Sequence, residues 1–176
     1  MHAYVAEIQA HHPKEPCMKT FVLANQKGGV GKTAIATLLA YCLAERDQRV
    51  LAIDLDHQGN FSLPLRLSGR AVLAPFTADM LMTGAVANLP QLPCHALVLV
   101  PSDRALLGLE RQPQLHTPFA RSFRAFIESV DAQFDVCVID TNPNPDICLI
   151  AALASADFVL SPIQLNQEAM DGVNHC

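Results

Sequence analysis

Three short runs carry most of the chemistry in this sequence. The first is Lys27-Gly28-Gly29-Val30-Gly31-Lys32-Thr33. Triphosphate oxygens need many donors at short range. Glycines let backbone N–H groups turn toward one point, and a helix that starts there adds its partial positive charge. Lys32 offers a mobile cation for the β and γ phosphates, and Thr33 offers a hydroxyl to Mg²⁺. The run departs from the pattern G-x-x-x-x-G-K-[ST]: Gln26 stands where the first glycine belongs, and a second lysine, Lys27, opens the loop. Six specified positions give a chance match on the order of 10⁻⁵ at average residue usage. That sets aside a plain glycine turn.

The second run is Asp54-Leu55-Asp56-His57-Gln58-Gly59-Asn60, and the third is Asp140-Thr141-Asn142-Pro143. Two carboxylates at i and i+2 beyond a strand can point to one side. One is then placed for the shell of a Mg²⁺ ion and the other to orient a water. Asp140 is placed to hold Mg²⁺ through water. Either acidic run alone also suits an ordinary strand end or helix cap. Their order behind a phosphate loop gives them weight.

These runs need elements to hold them. Residues 20–24 (TFVLA), 49–53 (RVLAI), 96–100 (ALVLV), 134–139 (FDVCVI) and 158–160 (FVL) are short apolar runs that predict buried strands. Helices are predicted over 32–46, near 78–82, over 119–130 and over 145–154, the last with a proline at its start. Ile35, Leu38, Leu39, Cys42 and Leu43 form the expected apolar face of the first helix. Phe119, Phe123, Phe126, Ile127 and Val130 form that of the third. Residues 65–93 are otherwise hard to read. Continuous apolar strands alternating with helices mean a parallel sheet covered on both faces. Ligands of such sheets sit beyond the carboxyl ends of the strands. Three of the five predicted strands end there in the glycine loop, Asp54 and Asp140.

Length and composition agree. A chain of 176 residues predicts one domain. With 51% apolar and 16% charged residues it is no disordered chain. No apolar run approaches the roughly twenty residues of a membrane helix, and no membrane role is expected. Net charge is −5, and after Arg124 the chain carries acids but no Lys or Arg. A nucleic-acid face needs clustered bases. The six cysteines form no CxxC pair and predict free thiols of a reducing cytoplasm. Residues 1–17 lack the apolar core of a secretory leader and predict an unstructured extension, with one domain over 18–176.

Together KGGVGKT, DLDHQGN and FDVCVIDTNP resemble the ParA family of deviant-Walker partition ATPases, over about residues 18–172. ADFVLSPIQL is similar to the family's fifth-strand region, and Met18-Lys19-Thr20 before the first strand is similar to its IncC-type branch. The resemblance implies an α/β P-loop NTPase, a three-layer sandwich with a mostly parallel central sheet. It implies that Lys27 is the signature lysine, reaching into the partner subunit's nucleotide in an ATP-sandwich homodimer. Gly28, Gly29, Val30, Gly31, Lys32, Thr33 and Ala34 then line the phosphates. Thr33, Asp54 and Asp140 lie at the metal, and Asp56 positions the attacking water. The implied cofactors are ATP and Mg²⁺. The implied activity is slow ATP hydrolysis that switches a dimer, with non-specific DNA and a ParB-type centromere-binding protein as partners, in the cytoplasm or on the nucleoid.

The sequence departs from the family at named places. His57 stands for the usual Pro, Ala34 for a second Thr, and Asn142 for the first Pro of D-T-P-P. Family members continue past the equivalent of Gly172 with further strands, adenine contacts and basic DNA-binding helices. The expectation is therefore a sheet lacking its last strands and helices, with an open edge that either pairs with a second copy or lowers stability. Met18, directly before the first strand, is expected as a candidate initiator. Two other readings stay open: a non-hydrolysing remnant that binds nucleotide or partner only, and a MinD-like cell-division ATPase. Gln58-Gly59-Asn60 speaks against the latter.

Overall fold

The computed structural model describes residues 18–86 and 97–163. In chain order its elements are β1 (Lys19–Leu23), α1 (Lys32–Ala44), β2 (Val50–Asp54), α2 (Ser62–Leu67), β3 (Ala71–Leu73), α3 (Ala78–Thr83), β4 (Leu97–Val100), α4 (Leu106–Leu109), a 3₁₀ turn at Pro113–Leu115, α5 (His116–Ser129), β5 (Val136–Asp140), α6 (Ile147–Ala154) and β6 (Phe158–Leu160). The expected extension over 1–17 lies outside the described residues.

The six strands form one sheet in the order β3-β4-β2-β5-β1-β6, and every pairing is parallel. Each residue of β2 and of β5 is buried, as continuous apolar strands under two helical layers must be. Register fixes the site. Leu23 of β1 and Asp54 of β2 both pair with Asp140 of β5. The glycine loop, the Asp54 loop and the Asp140 loop therefore leave the sheet at one level.

Two cores flank the sheet. On one face α3, α5 and α6 cover β-strand residues with Leu81, Met82, Phe123, Ile127 and Ala151. The apolar face expected for α5 is the observed one: Phe119, Phe123, Phe126, Ile127 and Val130 are all buried. Burying one such Phe contributes about 1.5–3 kcal/mol. On the other face α1 and α2 bring Ala36, Ala40, Phe61 and Leu65 against Val50, Ala52, Leu99 and Val138.

Here the expected face of α1 is wrong. Ala36 and Ala40 are fully buried, whereas Ile35 is 39% and Leu38 63% exposed, and Cys42 is exposed. Leu39 and Leu43 only flank the core. Small residues let this helix lie close on the sheet, so the larger side chains fall outside the contact. The sequence also hides α2, β3 and α4. They are six, three and four residues long, too short for a period to show. The last helix begins at Ile147 rather than 145, because the Asp146 carboxylate caps it by accepting from Leu149 N at 3.0 Å. Among the described residues β3 and β6 are the two edge strands, and in β6 Phe158 stacks on Phe21 at 5.0 Å while Val159 is half exposed. No helix of the described residues is long and apolar enough to cross a membrane.

Candidate functional site

The glycine loop joins β1 to α1. Gly29 and Gly31 sit at φ 74° and 92°, a region that suits glycine, and Gly31 is the cap residue of α1. A Cβ built on Gly28, Gly29 or Gly31 would enter empty space, so the loop is open toward solvent on that side. Asn25 organises the entry. Its Oδ1 accepts from Lys27 N at 2.8 Å, and its Nδ2 donates to Pro162 O at 2.8 Å. Its backbone oxygen accepts from Lys32 Nζ at 2.9 Å. The Lys32 side chain is thus folded back along the loop, buried, while Lys27 is exposed at the loop's outer end. Val30 is buried and Ala34 exposed.

Thr33 and Asp140 meet beneath this loop. Thr33 Oγ1 donates to Asp140 Oδ2 at 2.7 Å. The other oxygen, Asp140 Oδ1, is buried and accepts no hydrogen bond. Burial pushes the Asp140 carboxyl up to about 7, and the nearby Asp54 and Asp56 charges add to the rise, partly offset by Thr33 and Lys32. A buried carboxylate oxygen without a donor is costly. A cation or one of its waters removes that cost. Among the described residues no cluster of three or more His, Cys, Asp or Glu could hold a metal by itself. Mg²⁺ takes one or two carboxylates and completes its shell with phosphates and waters. Thr33 and Asp140 therefore fit the ion.

Asp54 does not share that arrangement. Its carboxylate is fully buried, and both oxygens are engaged by the protein. Oδ2 accepts from Ser62 N at 2.7 Å and Ser62 Oγ at 2.6 Å, and Oδ1 accepts from Asp56 N at 3.0 Å. Burial raises its pKa against the lowering effect of those bonds. Three protein donors thus face the Asp54 carboxylate, two on Oδ2 and one on Oδ1.

Asp56 lies two residues further on and is buried. Its Oδ1 accepts from Gln58 N at 3.0 Å, and its backbone oxygen accepts from Gly59 N at 2.9 Å. His57 Nδ1 stands 3.6 Å from Asp56 Oδ1, beyond hydrogen-bond range, and His57 Nε2 faces the Gln58 side-chain amide at 2.8 Å. A cleft of about 360 Å³ opens beside this loop, lined by Leu55, His57, Asn142 and Asp146 among others. Thr141 Oγ1 donates to Leu23 O at 2.7 Å and locks the ends of β5 and β1 together. Asn25 and Ser62 are the residues that pattern reading missed. The available signal was an Asn just after a strand and a Ser opening a helix, both common hydrogen-bonding positions.

The geometry gives an open glycine loop above one hydroxyl and one orphaned carboxylate oxygen, with the Asp56 carboxylate held nearby. A family model described as an AAA domain, AAA_31, matches residues 18–176. The chain belongs to that family. Two Escherichia coli proteins named IncC are 36% and 40% identical to it, each alignment taking in 89% of this chain. The chain spans only 43% and 44% of their lengths. The chromosome-partitioning ATPase Soj of Thermus thermophilus is 34% identical over 157 residues, 89% of this chain and 59% of Soj. Among solved structures, cobyrinic acid a,c-diamide synthase of Mycobacterium smegmatis with bound ATP analog and magnesium matches with TM-score 0.71 and 26% identity. That match covers 90% of this chain and 65% of the synthase. The ParA resemblance and the parallel P-loop sheet both hold.

Proposed function

We propose that this AAA_31 chain is the nucleotide-binding part of a ParA-like, Mg²⁺-dependent ATPase that serves plasmid or chromosome partition. One observation carries the reading: Thr33 and Asp140 join at 2.7 Å under the glycine loop, with Asp140 Oδ1 buried and unpartnered. Relatives whose names include a partitioning ATPase, and a fold neighbour solved with an ATP analog and magnesium, support it.

In this reading the backbone N–H groups of the loop and the Lys32 ammonium bind the β and γ phosphates. Thr33 Oγ1 and the Asp140 carboxylate hold the metal. Mg²⁺, when bound, draws charge from the phosphate oxygens and fixes their geometry. Asp56 accepts a hydrogen bond from the attacking water and aims it. Lys27, exposed at the loop's outer end, reaches into the nucleotide of a second copy, so that the homodimer closes over two ATP molecules. A ParB-type protein then speeds hydrolysis. Non-specific DNA contact belongs to the dimer in the cytoplasm, on the nucleoid, and its bases must come from outside residues 125–176, which carry none.

The test is Mg²⁺-dependent ATP binding and phosphate release by the chain and by Asp56→Ala. The reading expects binding by both and release by the native chain only. Binding with no release from either makes the chain a nucleotide-binding remnant. Absence of binding refutes the nucleotide site.

A further inference from the structure

The Asp54 carboxylate sits at the end of β2, directly beside Asp140 in the sheet register. A buried carboxylate at such a place is costly unless donors surround it. It has three: Asp56 N, Ser62 N and Ser62 Oγ. The Ser62 hydroxyl does a second job. It accepts from Ser102 N at 3.2 Å, two residues past β4. One side chain thus ties the end of β2, the start of α2 and the exit of β4.

Between the two attachments to Asp54 runs the loop that bears Asp56. Its entry is held by Asp56 N on Asp54 Oδ1, and its exit by Ser62 on Asp54 Oδ2. Inside, Gln58 N and Gly59 N both donate to Asp56, and Leu63 N donates to Gly59 O at 2.9 Å. Gly59 has φ 70°, and a Cβ there would lie 3.3 Å from Ser102 Oγ. The loop is closed from both ends and pressed against the β4 exit, so the Asp56 carboxylate inherits its place from Asp54 and Ser62.

We propose that Ser62 is a positioning residue for Asp56, acting through Asp54, and that Asp54 anchors this loop instead of ligating the metal. The proposal rests on the reading of Asp56 given above. It differs from a metal role in what it predicts. A ligand's loss weakens Mg²⁺ affinity, whereas an anchor's loss leaves metal and nucleotide affinity alone and lowers turnover.

The experiment compares the native chain with Ser62→Ala, Ser62→Thr and Asp54→Asn, using Mg²⁺ and ATP. Ser62→Ala and Asp54→Asn are expected to lower kcat about 10–100-fold, the scale of losing an outer-shell partner. KM for ATP and the Mg²⁺ concentration for half-maximal rate stay unchanged. Ser62→Thr keeps the hydroxyl and recovers most of the rate. The double variant is no worse than either single one, as expected of one unit. Unchanged ATP affinity certifies that a variant is folded. A readout independent of turnover is amide hydrogen exchange. The Gln58 and Gly59 amides exchange faster in Ser62→Ala, while those of β2 and β5 do not change. A loop loosened in a chain that releases no phosphate keeps the anchor and sinks the ATPase reading. A native kcat with unaltered exchange in Ser62→Ala overturns the anchor, as does a loss confined to Mg²⁺ half-saturation in Asp54→Asn.

Discussion

At the carboxyl ends of β2 and β5, Asp54 and Asp140 are wholly buried, and burial raises both carboxyl pKa values, Asp140 to about 7. At the amino ends of the same two strands, Asp135 meets Arg49. Arg49 Nη2 lies 2.6 Å from Asp135 Oδ1, and Arg49 N donates to Oδ2 at 2.8 Å. The Arg49 side chain, above all, holds the Asp135 carboxyl below its usual range. Two neighbours there work alike: Asp131 accepts from Met18 N at 3.0 Å and Asp157 from Thr20 N at 2.8 Å. One residue type thus does two jobs on one sheet. At the amino ends carboxylates satisfy strand-start N–H groups and hold the sheet together. At the carboxyl ends burial outruns the donors, and Asp140 keeps an oxygen with nothing to bind. Strain of that kind is kept where a ligand relieves it.

The sharpest way to break this contrast is to exchange a cation at each end. Lys32→Ala is expected to weaken Mg²⁺·ATP binding on the order of 100-fold or more, the scale of losing one charged contact to a developing or fixed anion. Arg49→Ala leaves that affinity unchanged and instead costs about 2 kcal/mol of stability, since its bonds to Asp135 are charge-assisted and half-buried. Calorimetric titration and urea unfolding of both variants check the pair.

A second test uses opposite pH slopes in metal-free protein. A raised folded pKa favours the protonated form, so the Asp140 share of stability is present at low pH and lost as pH rises through about 7. The Asp135 share has the reverse sign: it is present above the ordinary carboxylate range and lost as pH falls through the lowered pKa. Urea midpoints across pH 3–8 should therefore rise at the acidic end and fall toward neutrality. Asp140→Asn flattens the neutral limb, and Asp135→Asn flattens the acidic one. The smallest expected effect is at Leu38. If α1 serves the site through Ala36 and Ala40, then Leu38→Ser shifts stability by no more than about 0.5 kcal/mol. A larger loss in thermal unfolding would restore the leucine face.

Much of this was readable in the sequence. Continuous apolar strands gave the parallel sheet, and strand ends bearing KGGVGKT, Asp54 and Asp140 gave the edge where the site lies. The amphipathic face of α5 was legible because bulky Phe residues repeat at helical spacing. The face of α1 was not, because the contact is made by alanines, which a pattern of large apolar residues overlooks. The anchoring role proposed for Asp54 was hidden for a related reason. A carboxylate beside a metal and a carboxylate capped by a serine eight residues on look the same in a sequence. The contact with Ser62 shows only in the structure.

The central claim is that the Thr33–Asp140 pair is a Mg²⁺-dependent nucleotide site. The most direct measurement is the binding of a non-hydrolysable ATP analog to the native chain and to Asp140→Asn, with Mg²⁺ and with a chelator. The account predicts tight binding only by the native chain with Mg²⁺, and equal, weak binding in the other three cases. Equal binding by Asp140→Asn in Mg²⁺, or by the native chain in chelator, would contradict it.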